Sequence, residues 1–289
     1  MAPRVVGIGE LLWDIYPGGR RLGGAPANFA CHASRLGCAG SVVSRVGDDA
    51  LGREALERLR SLGVDGGPVQ VDPALPTGTV AVALDPHGHP TYAIHPDVAW
   101  DALAWTPDLG QVAAGAAAIC FGTLASRGPR TLDTVRRFLA AASPGCLRIF
   151  DVNLRQDYHS PERVRAFLGL CDVLKLNEDE LPLVADMCGA GGAEGLRRRY
   201  GLKLVALTLG SRGSELHAGG APLVEPGVKV EVVDTVGAGD AFTAALAAGL
   251  VQGLPLPAVH RRAAQLSAYV CTQPGATPDT RAFLASLPD

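Results

Sequence analysis

Asp234-Thr-Val-Gly-Ala-Gly-Asp-Ala-Phe242 places two glycines and an aspartate between a strand-like and a helix-like segment. Before it, Val228-Lys-Val-Glu-Val-Val233 alternates as a strand does, and after it the Ala/Leu-rich run Ala241 to Val251 has strong helix propensity. A glycine turn between strand and helix leaves backbone N–H groups uncovered at the positive end of the helix, which is an anion site. Asp240 falls in the first helical turn, where the anion would lie. It has two readings. It complements the helix dipole, or, if the anion is a phosphate in transfer, it accepts the proton of an attacking hydroxyl.

Upstream, the segments Leu147 to Arg155, Asp172 to Asn177 and Lys203 to Gly210 read as strands alternating with helices, the rhythm of a parallel sheet. Ligands of such sheets bind at the carboxyl ends of strands. Polar groups at four predicted ends, Asp151, Asn177, Thr208 and Asp234, therefore predict one shared cleft. Nearer the N-terminus, Arg4 to Gly9 is a buried strand without the G-x-G-x-x-G fingerprint of dinucleotide folds. Pro17 to Gly24 reads as a glycine-rich loop feeding a helix with Pro26 in its first turn and Gly37 as its cap. Asn28 lies in that first turn, placed either to cap it or to bond a hydroxyl-rich ligand over the glycines.

Ser41 to Val46 reads as the next strand and Ala50 to Leu62 as a helix, after which the rhythm breaks. Val69 to Val71, Thr77 to Leu84 and Thr91 to Ile94 are short strands with Pro/Gly turns such as Asp85-Pro-His-Gly88. They predict antiparallel hairpins in a separate small sheet. Such an insertion serves as a dimerisation element, a lid over a cleft, or both. His87, His89 and His95 lie there without carboxylates or thiols at ligand spacing and read as surface residues.

Composition removes whole classes of function. A net charge of -3 gives no nucleic-acid footprint, and no apolar run reaches the roughly 18 residues a membrane span needs. The seven cysteines form no CxxC pair, so buried free thiols in a reducing cytoplasm are expected rather than disulfides or zinc. The N-terminus enters a strand directly and has no signal-peptide layout.

Together these pieces resemble the ribokinase-like, or pfkB, carbohydrate kinases. Six motifs stand in that family's order: Gly23-Gly-Ala-Pro-Ala-Asn28, Val46-Gly-Asp-Asp49, Asp151-Val-Asn-Leu-Arg155, Asn177-Glu-Asp-Glu180, Thr208-Leu-Gly-Ser-Arg-Gly213 and Asp234-Thr-Val-Gly-Ala-Gly-Asp240. The resemblance implies an α/β fold: one three-layer α/β/α domain over 1–289, with a mostly parallel central sheet and a β-sheet lid from about 11–22 and 69–97. It implies ATP-dependent phosphorylation of a sugar hydroxyl. Asp240 would be the base, and the amides of Gly237, Ala238 and Gly239 the anion hole. Asp14, Gly24, Asn28 and Arg155 would contact the sugar or its phosphate. Asn177 and Glu180 would organise Mg²⁺ and phosphates, Glu180 through water, and Thr208, Gly210, Gly213 and Gly239 would line the ATP site.

The resemblance further implies a homodimer through the lid and a K⁺ ion near the anion hole, held around Asp234, Val236 and Gly275. Asp279 stands where ribokinases usually have Ser, so the resemblance leaves the cation requirement open. Ribokinases often carry Lys after the double glycine; here Ala25 follows, and with Gly9-Glu-Leu-Leu-Trp-Asp14 the pattern looks more like fructokinases. Fructose is thus the expected substrate, with ribose, 2-keto-3-deoxygluconate and nucleosides as alternatives. A non-catalytic sugar- or nucleotide-binding protein is the competing reading, and a nicotinamide-dependent oxidoreductase has only the α/β rhythm behind it.

Overall fold

The computed structural model describes residues 1–84 and 90–287, the side chains of 82–84 and 90–92 excepted. The Asp85 to Gly88 turn, with His87, and His89 lie outside the described residues; His95 is exposed. In chain order the elements are β1 (Arg4–Ile8), β2 (Leu12–Tyr16), β3 (Gly19–Gly23), α1 (Ala25–Arg35), β4 (Ala39–Val43), β5 (Arg45–Gly47), α2 (Ala50–Ser61), β6 (Gln70–Asp72), β7 (Gly78–Leu84) and β8 (Pro90–Ile94). There follow α3 (Pro107–Ala114), β9 (Ala118–Phe121), α4 (Pro129–Ala141), β10 (Leu147–Asp151), α5 (Pro161–Leu168), β11 (Val173–Asn177), α6 (Glu180–Cys188) and α7 (Gly192–Tyr200). The chain closes with β12 (Leu204–Thr208), β13 (Gly213–His217), β14 (Leu223–Pro226), α8 (Ala238–Val251), α9 (Leu256–Cys271) and α10 (Arg281–Ser286).

The central sheet has eight strands in the order β14-β13-β12-β11-β10-β9-β1-β4. All pairs from β12 to β4 are parallel, and β13 and β14 add an antiparallel edge. Strand side chains alternate between the two faces and split the core in two. Ile119, Phe121, Phe150, Leu174 and Val205 pack with α3 to α7, whereas Ala118, Cys120, Ile149, Val173 and Leu204 pack with α1, α8 and α9. On the first face Phe121 and Phe150 stack and Phe167 meets both edge-on, with ring centroids 5.2–5.4 Å apart. Each such fully buried ring contributes roughly 2–3 kcal/mol of hydrophobic stabilisation. On the second face α8 is buried from Ala241 to Gly249, and its run of alanines lets α1 and α9 approach from both sides. At Gly249 a Cβ would meet Val259 Cγ2 at 2.6 Å, so the tight crossing depends on a missing side chain.

The small sheet has the order β3-β2-β7-β8. Here the structure corrects three expectations. Gly19–Gly23 is a strand paired with β2 rather than part of a loop, because Pro17-Gly18 alone makes the turn. β7 and β8 pair antiparallel as expected, and β2 joins them alongside β7 in parallel. The Val69 to Val71 region forms β6, which leaves the small sheet and pairs with β5, where Asp72 and Arg45 make an ion pair at 2.8 Å. The predicted strand Ser41 to Val46 is accordingly broken at Ser44, whose hydroxyl donates to Gly9 O at 2.6 Å.

A fourth correction concerns the approach to the opening motif. Val228 to Val233 is not a strand. The chain leaves the sheet edge at Gly227, where a Cβ would stand 1.9 Å from Ser211 O, and Val228, Val230, Val232 and Val233 are left exposed. Alternation reports fitness for a pleated strand, but not whether a partner edge is within reach. All seven cysteines are free, six of them buried. Among the described residues, no helix is long and apolar enough to cross a membrane.

Candidate active site

A cleft of about 950 Å³ opens at the carboxyl ends of the parallel strands, between the central sheet and the small sheet. At its base the chain turns into α8. Gly237 caps the helix with φ +80°, and a Cβ there would lie 2.5 Å from Ala276 O, so only glycine fits. Ala238 N is spent on Thr235 O at 3.3 Å, whereas Gly237 N and Gly239 N have no protein acceptor among the described residues. Two of the three predicted anion-hole amides are therefore available without rearrangement.

Asp240 stands one residue further, enclosed by protein with its tip open to the cleft. Its Oδ2 accepts from Asn28 Nδ2 at 2.8 Å. Burial pushes its carboxyl up to about 6 and the charge of Asp151 adds to the rise, while the Asn28 bond and the charges of Lys175 and Arg155 pull it back. Asp240 is thus a stronger base than a free aspartate and still ionised at neutral pH.

The small sheet supplies the opposite wall. Because β2 alternates, Leu12 and Asp14 both line the cleft. Burial raises the Asp14 carboxyl to about 6 against the opposing charges of Arg155 and Arg21. At Gly23 a Cβ would lie 2.5 Å from Asp14 Oδ2, so a side chain there would push that carboxylate aside. At Gly24, with φ +106°, a Cβ would strike Glu10 O at 2.4 Å. The α1 first turn then starts there, with Ala27 N and Asn28 N both donating to Gly24 O at 3.0 Å. Arg155 is exposed on the far wall, just after Asn153 turns the chain with φ +46°.

Glu10 and Lys175 carry chemistry that the sequence reading did not assign, and Asp151, expected in the cleft only as a strand end, pairs with Lys175. Glu10 lines the cleft beside Asn28, accepts from Ala25 N at 3.2 Å, and is raised to about 7 by burial, partly offset by backbone hydrogen bonds. Asp151 and Lys175 form a buried ion pair at 3.1 Å beneath Gly239, and Thr243 Oγ1 donates to Asp151 at 2.8 Å. Burial alone would lower the Lys175 ammonium, but the surrounding charges of Asp151, Glu180 and Asp240 hold it above its ordinary value. The available signal was a lysine inside the otherwise apolar strand Val173-Leu-Lys-Leu-Asn177, because an unpaired charge is not stable there.

The remaining strand ends form the other half of the cleft. Asn177, Glu180, Thr208, Gly210 and Gly213 all line it. Asn177 Oδ1 accepts from Glu180 N at 2.8 Å and Glu180 Oε2 accepts from Asn177 N at 2.9 Å, a reciprocal pair of the capping-box kind. Glu180 Oε1 also accepts from Leu154 N at 2.9 Å, which ties the ends of β10 and β11 together. Gly213, with φ +104°, packs a would-be Cβ 2.1 Å from Glu225 O.

Asp234 departs from expectation. It ends no strand and does not line the cleft, although Thr235 and Val236 do. Its carboxylate accepts from Val236 N at 3.0 Å and Gly275 N at 2.9 Å, and it pairs with Arg21 at 3.0 Å. The three residues named for a monovalent cation are therefore brought together, but around a side chain that is already positive. Among the described residues, no group of three or more His, Cys, Asp or Glu side chains could hold a metal ion.

Fold and cleft define an α/β/α sandwich that sets a buried carboxylate and two glycine-turn amides, unbonded among the described residues, against a polar wall. The family model for pfkB family carbohydrate kinases matches residues 18–282. The chain belongs to this family. It is 34% identical over 260 residues to a fructokinase of Klebsiella pneumoniae, covering 86% of this chain and 85% of that one. A sugar kinase of Pyrococcus horikoshii superimposes with a TM-score of 0.84 at 29% identity, covering 98% and 97% of the two chains; it has also been solved in complex with ATP. A Vibrio cholerae fructokinase in a fructose-, ADP- and calcium-bound form superimposes with a TM-score of 0.82 at 26% identity, covering 99% and 98%.

Proposed function

We propose that the protein transfers the γ-phosphoryl group of ATP to a hydroxyl of fructose. The observation that carries this reading is the 2.8 Å bond from Asn28 to Asp240, which joins the sugar-side helix to the base at the anion turn. Fructose would lie against Asp14, Gly24 and Asn28. One of its hydroxyls would face the open tip of Asp240, with Arg155 across the cleft as a phosphate contact. ATP would lie over Thr208, Gly210 and Gly213 with its γ-phosphoryl group toward Gly237 and Gly239.

In the transfer, the hydroxyl O–H bond breaks and its proton goes to Asp240. The oxygen bonds to the γ-phosphorus, and the bond to the β–γ bridging oxygen breaks to release ADP. The amides of Gly237 and Gly239 would donate to the charge that develops on the phosphoryl oxygens. Mg²⁺ would arrive with ATP, since hydrated Mg²⁺ needs few direct protein ligands, and the remaining lone pairs of Glu180 suit its bound waters. The metal supplies neutralisation of phosphate charge. A carboxyl near 6 is well matched to general-base work at neutral pH.

Fructose is favoured by the Gly23-Gly-Ala-Pro-Ala-Asn28 turn and by the 34% identity to a fructokinase. The same reading includes pairing of two copies through the outer face of the small sheet, where Ile15 is exposed, and a cytoplasmic location suited to seven free thiols. Sedimentation velocity tests the pairing. The function is tested by ADP release with fructose, ribose and 2-keto-3-deoxygluconate. Fructose should give the highest kcat/KM; release with none of them would support a binding protein on this scaffold.

A further inference from the structure

We propose that Arg21 is a positioning residue for the anion turn, supplying from the small sheet a fixed positive charge at Asp234 that a monovalent cation would otherwise provide. The proposal rests on the kinase reading. Arg21 lies on β3, directly opposite Asp14 in the β2–β3 ladder, so the strand that carries the sugar-side carboxylate also fixes this guanidinium. Its Nη1 reaches Asp234 Oδ2 at 3.0 Å, and its guanidinium carbon lies 5.2 Å from the centroid of the Tyr16 ring. The contact joins residues 213 apart in sequence and is a direct ion pair between the small sheet and the anion turn.

Asp234 is well placed to pass this constraint on. Its two oxygens accept the amides of Val236 and Gly275, one on the turn before Gly237 and one on the loop that packs against it. That loop is itself anchored. His32 is buried and neutral, so its Nε2–H donates to Ala276 O at 2.9 Å, and Arg35 Nη2 donates to Thr277 O at 3.2 Å. Ala276 O in turn stands against Gly237, where it leaves no room for a Cβ. A chain of contacts therefore runs from Arg21 through Asp234 and Gly275 to the backbone that presents the Gly237 and Gly239 amides.

A K⁺ ion in this neighbourhood would meet two obstacles. Arg21 Nη1 lies 3.7 Å from the Cβ position of Gly275, so the ion would approach a like charge, and the Ala276 carbonyl is already engaged by His32. The residues present do not fit the group; they replace its charge. An ion pair with one partner half exposed contributes little to global stability, so the role of Arg21 is geometric and its removal should leave the fold intact.

The test uses the full chain and compares wild type, Arg21→Ala and Arg21→Lys. Wild-type turnover should change less than about twofold when K⁺ is replaced by tetramethylammonium at constant ionic strength. Arg21→Ala should lose about tenfold or more in kcat with fructose KM within about threefold, and added guanidinium or K⁺ should restore part of the rate. Arg21→Lys should fall between the two. Independently of activity, hydrogen exchange over residues 234–239 should be faster in Arg21→Ala than in wild type. A wild-type rate that rises about tenfold on adding K⁺, or an Arg21→Ala protein with unchanged kcat and unchanged exchange, overturns the proposal. If no sugar is phosphorylated by wild type, the kinase reading fails, and the exchange comparison still decides the role of Arg21.

Discussion

Asn28 Nδ2 donates to Asp240 Oδ2 across 2.8 Å, joining the first turns of α1 and α8 over 212 residues of sequence. This bond sets the protonation of Asp240 as well as its place, because it holds the carboxyl below the value that burial alone would give. Asn28→Ala should therefore move the acid limb of kcat/KM to higher pH and raise the sugar KM about tenfold, the loss of roughly one hydrogen bond. Profiles of kcat/KM against pH check both effects; an acid limb unmoved or shifted downward contradicts the account.

The wild-type pH dependence follows from the same group. With Asp240 at about 6, kcat/KM should fall as pH drops below about 6. Asp14, also at about 6, steepens the fall to a slope between about one and two. A profile flat down to pH 4.5 would remove Asp240 from the base role.

Stability should move the other way. Glu10, Asp14 and Asp240 are all raised in the fold, so between their ordinary values and about 6 to 7 the native state holds more protons than the unfolded chain. Their neutral forms stabilise the fold at low pH, and this contribution is lost as pH rises through 6 to 7. The ligand-free Tm should fall between pH 5 and pH 7.5, and Asp240→Asn should reduce that fall. Calorimetry across this range measures it, and a Tm that rises over the same interval reverses the sign.

The buried pair beneath the anion turn makes a separate prediction. Lys175→Met leaves Asp151 charged and without its cation at 7% side-chain exposure. Removing one partner of such a pair typically costs about 3–5 kcal/mol. Urea unfolding of the variant should show a loss of this size; a loss under about 1 kcal/mol would mean Asp151 is compensated from elsewhere.

Gly237 tests the turn itself. Gly237→Ala must place a Cβ 2.5 Å from Ala276 O at φ +80°, which costs about 1–3 kcal/mol of strain or shifts the turn. Turnover should fall by about tenfold or more while fructose binding, measured by calorimetric titration, is retained. Equal loss of binding and turnover would point to general disruption.

The sequence carried the parallel sheet and the anion turn clearly, because both rest on local patterns: the apolar strands ending in Asp151, Asn177 and Thr208, and the two glycines before Asp240. It misread Val228 to Val233 and the partner of Gln70 to Asp72, because strand pairing depends on which sheet edge lies nearby, a long-range fact. It placed Asp14, Asn28 and Asp240 together through family resemblance, and the structure sets all three on one cleft. It did not find Lys175, Glu10 or Arg21 as parts of the site. Each acts through a contact with a residue at least 15 positions away in sequence, and spacing carries no information about such contacts.

If Asp240 takes the proton of the sugar hydroxyl, Asp240→Asn should nearly abolish transfer while leaving sugar binding in place. Asparagine fits the same space and can keep a hydrogen bond to Asn28, but it cannot accept a proton at neutral pH. ADP release with ATP, Mg²⁺ and fructose should fall by about a thousandfold or more, with the fructose dissociation constant within about threefold of wild type. Turnover within about tenfold of wild type in that variant would contradict the account.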